Sequence, residues 1–113
     1  MEWGEWTVML EDGPKTNGIC YPLRERNALF VTGWRPTDRM TLPGSRGGRS
    51  LKRLFADAGI SPWQRDAMPV LRVGETAAAV PGIGVDSKFW PRNEDAVSYI
   101  TFHHKTEERD YEK

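Results

Sequence analysis

Cys20 is the only cysteine in the sequence. An internal disulfide is therefore excluded, and a reducing cytoplasm is the expected compartment. No apolar run approaches the ~18 residues of a membrane span, so no membrane partner is expected. Net charge is absent as well, because 16 basic residues balance 16 acidic ones. No global field draws the chain toward a polyanion. Apolar residues are scarce at 38%, so five Trp and four Phe must supply much of the buried area. The only histidines, His103 and His104, sit in a charged stretch that reads as a solvated tail. No cysteine or carboxylate stands at metal-ligand spacing from them. Acid–base pairs, an activated nucleophile and internal repeats are equally missing. The residues offer no catalytic site.

What is present is unevenly placed. The 113 residues suffice for one domain, 1–113, but not for two ordinary ones. Residues 1–33 carry three basic and five acidic side chains. Residues 34–66 carry seven basic (Arg35, Arg39, Arg46, Arg49, Lys52, Arg53, Arg65) and three acidic. Residues 67–113 carry six basic and eight acidic. A net +4 segment thus lies between flanks of −2 each, and such local patches govern partner choice more than the total does.

The clearest element lies within that segment. Leu51, Leu54, Phe55 and Ala58 repeat at i, i+3, i+4, i+7, which predicts one apolar helical stripe. Ser50 is suited to cap its start and Gly59 to stop its end. Lys52 and Arg53 fall off the stripe, toward solvent. Ser61-Pro62-Trp63-Gln64 predicts a second, short helical turn with a capping box and proline at the first helical position. Residues 70–73 and 76–80 read as strands joined by Gly74-Glu75, a type II′ hairpin turn. A bend and a short strand follow at 81–86. Strands are also expected at 6–10, 27–34 and 97–102. One at 19–23 is expected as an edge strand or an irregular segment, because Pro22 lacks a donor. Residues 35–48 and 89–95 read as loop, and 104–113 as a polar tail. The fold class is therefore α+β: a small mixed β-sheet or sandwich with one main helix and a short helical turn. Leu51, Leu54, Phe55, Trp63, Val70, Leu71, Val80, Ile83 and Val85 are its expected core.

Gly44-Ser45-Arg46-Gly47-Gly48-Arg49-Ser50 invites comparison with a phosphate loop. It lacks the Walker spacing, and Arg49 stands where the SGGxDS loop of ATP pyrophosphatases needs aspartate. A helix start with arginines beside it nevertheless suits an anion, and the expectation is divided between nucleic-acid phosphate and a plain solvated loop with no ligand. Trp63 suits either base stacking or, more readily, core packing. Arg65-Asp66 reads as a structural ion pair or a strand cap, and Cys20 as a buried small hydrophobe.

The serial order of motifs resembles a known family. Trp34-Arg35-Pro36-Thr37-Asp38-Arg39 is similar to an R-x-P-G-D-R lead-in, with Thr37 where glycine is common. Ser50-Leu51-Lys52-Arg53-Leu54-Phe55 resembles LKKLF, and Ile60-Ser61-Pro62-Trp63-Gln64-Arg65-Asp66 resembles VPPWLRD with Ser61 in place of proline. Met68-Pro69-Val70-Leu71, Gly74-Glu75 and Val80-Pro81-Gly82-Ile83-Gly84-Val85-Asp86 complete the series over residues 34–89, the family-like core. Together they resemble the C-terminal domain of bacterial tRNA(Ile)-lysidine synthetase. The resemblance implies an α+β fold akin to a domain of the phenylalanyl-tRNA synthetase β-subunit. It also implies a tRNA acceptor-stem partner, and a separate or missing catalytic domain that uses ATP. This chain would need no cofactor of its own and would be inert without that half. It would be either an excised domain or a standalone product. The RNA-binding residues expected on this basis are Arg39, Arg46, Arg49, Lys52 and Arg53. The competing expectation is a protein-interaction module that reuses the fold.

Overall fold

Capping chemistry sets the main helix. In the computed structural model, which describes residues 1–24, 28–93 and 97–105, the apolar stripe folds as α1, Leu51–Asp57. The Ser50 hydroxyl accepts from the Arg53 N–H at 3.1 Å, and Gly59 takes φ +75° just beyond the C-cap Ala58. The second helix, α2, spans Pro62–Arg65. The Ser61 N–H donates to Gln64 Oε1 at 3.0 Å, the backbone half of the expected capping box.

The strands are β1 (Glu2–Trp3), β2 (Trp6–Glu11), β3 (Ile19–Leu23), β4 (Leu29–Thr32), β5 (Arg39–Met40), β6 (Arg49–Ser50), β7 (Val70–Val73), β8 (Thr76–Val80), β9 (Gly84–Val85) and β10 (Ser98–His104). One sheet runs β1-β2-β10-β3 and a second β4-β7-β8-β9, while β5 and β6 form a separate ribbon. Residues 19–23 form a regular strand at the sheet edge rather than an irregular segment, a position that Pro22 tolerates. Gly74 opens the β7–β8 turn at φ +59°, as a type II′ turn demands.

The second sheet is the middle of three layers. Its Leu71, Ala79 and Val85 pack on Val8, Leu23, Ile100 and Phe102 of the first sheet. Its Val70, Ala77 and Val80 pack on Met40, Leu51, Leu54 and Phe55. Ala77 and Ala79 would share one face of a regular strand. The register shift between Leu71 and Arg72 sends them to opposite faces, so one alanine-rich strand serves both cores. Leu54→Ala in the helix-side core is expected to cost roughly 2–4 kcal/mol. A denaturant titration checks this, and a loss below about 0.5 kcal/mol would mean that the stripe bears no packing.

Several expectations are corrected. Trp63 is 77% exposed, not core. A single helical turn turns one large side chain inward, and that side chain is Arg65. Its Nε donates to the Ile60 carbonyl at 3.1 Å, and its guanidinium lies 5.8 Å from the centre of the Phe55 ring. Arg65 therefore does not pair with Asp66, whose carboxylate accepts from Trp34 Nε1 at 3.1 Å. Ile83 is half-buried at the margin of the helix-side core. His103 and His104 belong to β10, opposite Thr7 and Trp6, rather than to a tail. The His104 ring meets Trp6 edge-on at 4.8 Å. Residues 106–113 of the expected tail, with Asn27 and residues 94–95, lie outside the described residues. Cys20 is half-buried, with Thr101 Oγ1 donating to its sulfur at 3.4 Å. Residues 39–40 of the expected loop form β5.

Candidate nucleic-acid interface

Arginine in a strand of valines and leucines needs a partner if it is buried. Arg72 is fully buried in β7 and makes a two-pronged pair with Asp38. Its terminal nitrogens donate to Asp38 Oδ1 at 2.8 Å and Oδ2 at 2.7 Å. Its other donors reach Thr32 Oγ1 at 2.6 Å and the carbonyls of Gly33 at 3.1 Å and Glu75 at 3.3 Å. All five guanidinium N–H groups are thus used. Asp38 also accepts from the Arg35 N–H at 2.7 Å, and its own carbonyl accepts from the Leu51 N–H at 2.8 Å. The pair therefore ties the 35–38 turn to β7 and to the first residue of α1. Arg35 adds an exposed bond to Glu75 at 2.6 Å.

Burial opposes ionisation of Asp38, but the hydrogen bonds from Arg72 and Arg35 and their positive charges outweigh it. The carboxyl stays below its ordinary value. An unfolded aspartate titrates near pH 3.9. The stabilisation from Asp38 is thus complete at neutral pH and disappears as pH falls below about 4 through the lower folded value. The stability gap between the wild type and Asp38→Asn should narrow over that window and stay constant between about pH 6 and 8. Denaturant midpoints across pH check both halves.

A second buried carboxylate holds the next segment. Asp86 accepts from the Thr41 N–H at 3.1 Å and the Lys88 N–H at 2.9 Å. The Ser87 N–H donates to the Thr41 carbonyl at 2.7 Å. The Tyr21 hydroxyl accepts from the Gly82 N–H at 3.1 Å, which ties the 81–83 bend to the first sheet.

These anchors frame the basic residues. Arg46 is exposed in the turn before β6, and Lys52 is exposed on α1. Arg49 and Arg53 stand on the rim of an open groove of about 500 Å³ between α1 and the bends at residues 42–45 and 82–83. Arg39 is not part of that rim. It faces Ser50 across the ribbon while Arg49 faces Met40, and adjacent rungs point to opposite sides. Its guanidinium donates to the Gly48 carbonyl at 2.9 Å. Arg53 Nε pairs with Asp57 Oδ1 at 3.2 Å, an exposed i,i+4 bridge of small energetic weight.

The helix start itself is less open than the sequence implies. The Leu51 and Arg53 N–H groups already donate, to the Asp38 carbonyl and the Ser50 hydroxyl. What this segment presents to solvent is the side chains of Arg46, Arg49, Lys52 and Arg53. Sequence reading missed the groove, because its walls come from three separate segments. It also missed Arg72–Asp38 and Asp86. The one available signal was an arginine inside Val70-Leu71-Arg72-Val73.

Among the described residues no three His, Cys, Asp or Glu side chains cluster as a metal site. No described helix is long and apolar enough to cross a membrane.

Comparison with known proteins agrees with this architecture. A tRNA(Ile)-lysidine synthase from Shigella flexneri is 39% identical over 97 residues, covering 86% of this chain and 21% of that protein. One from Alkalilimnicola ehrlichii is 37% identical over 75 residues, covering 66% of this chain and 17% of that protein. The chain thus spans about a fifth of the length of the curated relatives it matches. A solved structure described as the TilS C-terminal domain superposes with a TM-score of 0.70 at 21% identity. The match covers 88% of this chain and 85% of that one, and it supports the α+β fold. Residues 29–101 match the family described as the TilS substrate C-terminal domain, and the chain belongs to that family.

Proposed function

We propose that this chain is the tRNA-gripping part of a tRNA(Ile)-lysidine synthetase, which holds the acceptor stem while a separate domain uses ATP to attach lysine. The supporting observation is that Arg46, Arg49, Lys52 and Arg53 are all exposed along residues 46–53, a basic edge on which Arg49 and Arg53 line one groove with Asp57. These side chains are set on a ribbon and a helix start that the buried Asp38–Arg72 pair holds fixed. A-form RNA is read chiefly through backbone and shape, which suits guanidinium and ammonium groups on a rigid edge. Arg39 contributes from the other side of the ribbon. The ATP chemistry belongs to the catalytic domain, and the compartment is the cytoplasm.

Each phosphate contact releases a condensed counterion, so log affinity should fall by about 0.7–0.9 per contact per log unit of salt. Three or four contacts predict a slope near −3 for an acceptor-stem minihelix. Fluorescence anisotropy over a salt series measures it. Absence of binding at low salt would overturn the reading in favour of a protein partner. One observation supports that second reading. Trp63 is 77% exposed, and an exposed tryptophan is a common anchor at protein–protein surfaces.

A further inference from the structure

The basic edge borders a groove whose chemistry differs from that of a plain phosphate cradle. Leu42, Leu54 and Ile83 form apolar lining, and Arg49, Arg53 and Asp57 supply its charges. Two cations and one anion leave a net +1 at the rim. That balance matches one phosphate and disfavours a polyphosphate, which Asp57 would repel. The Arg53–Asp57 pair engages Nε and Oδ1. The terminal guanidinium nitrogens and the second carboxylate oxygen then present donors beside an acceptor, the pattern that a base edge with mixed donors and acceptors requires. About 500 Å³ lies within the range of small-ligand sites and accommodates one nucleotide. The bend that closes the groove at Gly82 is fixed by Tyr21, so the site is built before any ligand arrives.

We propose that this groove takes one unpaired nucleotide of the bound RNA, with its base on the apolar lining, its edge against Arg53–Asp57 and its phosphate at Arg49. The proposal rests on the RNA-binding reading above and deepens it. The duplex lies on Arg46 and Lys52, and a single-stranded extension next to the duplex enters the groove at Arg49 and Arg53.

The test compares two minihelices of identical duplex, one blunt and one with a four-nucleotide single-stranded 3′ extension. Both are titrated against the whole chain and against Ala58→Trp. Ala58 is exposed, lines the groove and carries no charge, so a bulky side chain there obstructs the site while the basic residues stay in place. The wild type should bind the extended RNA about five- to tenfold more tightly than the blunt one. Ala58→Trp should bind both with the affinity of the blunt RNA. Ala58→Glu, which cancels the rim charge, serves as the second variant, and circular dichroism verifies folding of each. Equal wild-type binding of the two RNAs would overturn this inference and leave the duplex-binding reading intact. A preference for the extension that persists in both folded variants would also overturn it, since the extension would then bind elsewhere. Failure of both RNAs to bind the wild type would overturn the RNA reading itself and the groove assignment with it.

Discussion

Replacing Arg72 with methionine is expected to destabilise the protein by roughly 3–5 kcal/mol, the cost of leaving a buried charge without its partner. Methionine fills a similar volume, so the loss reports charge and hydrogen bonding rather than a cavity. Asp38 would keep the Arg35 N–H and lose both guanidinium prongs. Thr32 Oγ1 and the carbonyls of Gly33 and Glu75 would lose their donor as well. A domain of this size is stable by only about 5–15 kcal/mol, so the variant should unfold at a much lower denaturant concentration. Adding Asp38→Leu should recover a large part of the loss, because an apolar pair of similar volume leaves no uncompensated charge. Chemical denaturation of the two single variants and the double variant gives the coupling directly. A loss below about 1 kcal/mol for Arg72→Met would mean that the pair is not the keystone of the 35–38 turn.

Reversing two charges at the basic edge should affect binding as strongly as Arg72 affects folding. Arg49→Glu with Lys52→Glu removes two proposed phosphate contacts and adds repulsion. Affinity for the acceptor-stem minihelix near 0.1 M salt should fall by roughly a hundredfold, and the salt slope should shrink from about −3 to about −1. Both side chains are exposed and neither belongs to the core, so the thermal transition should stay nearly unchanged. Anisotropy titrations on protein that circular dichroism shows to be folded provide the measurement. A decrease below about threefold would place the RNA surface elsewhere.

Local chemistry made much of this fold legible. Ser50, the Leu51–Leu54–Phe55 stripe and Gly59 define α1 without tertiary information, because cap, period and stop are all local. Gly74 sets the hairpin turn and Pro22 the edge strand for the same reason. The misreadings share the opposite cause. Arg72 carries no local signal of its role, because its partner Asp38 lies 34 residues earlier. Trp63 counts as core by residue type, but a four-residue helix has no periodicity to say which way it faces. His103 and His104 sit next to charged residues and look like tail, yet β10 carries them because β2 pairs along its length. The candidate site divides in the same way. The basic residues were visible in the sequence, whereas the groove between them was not, since residues 42, 54 and 83 meet only in three dimensions.

Hydroxyl-radical footprinting of an intact isoleucine tRNA bound to this chain at low salt tests the central claim most directly. The account predicts protection of the acceptor-stem backbone, lost on adding salt and lost in the Arg49→Glu, Lys52→Glu variant. Protection confined to the anticodon arm, or an acceptor-stem footprint that the double variant leaves unchanged, would contradict it.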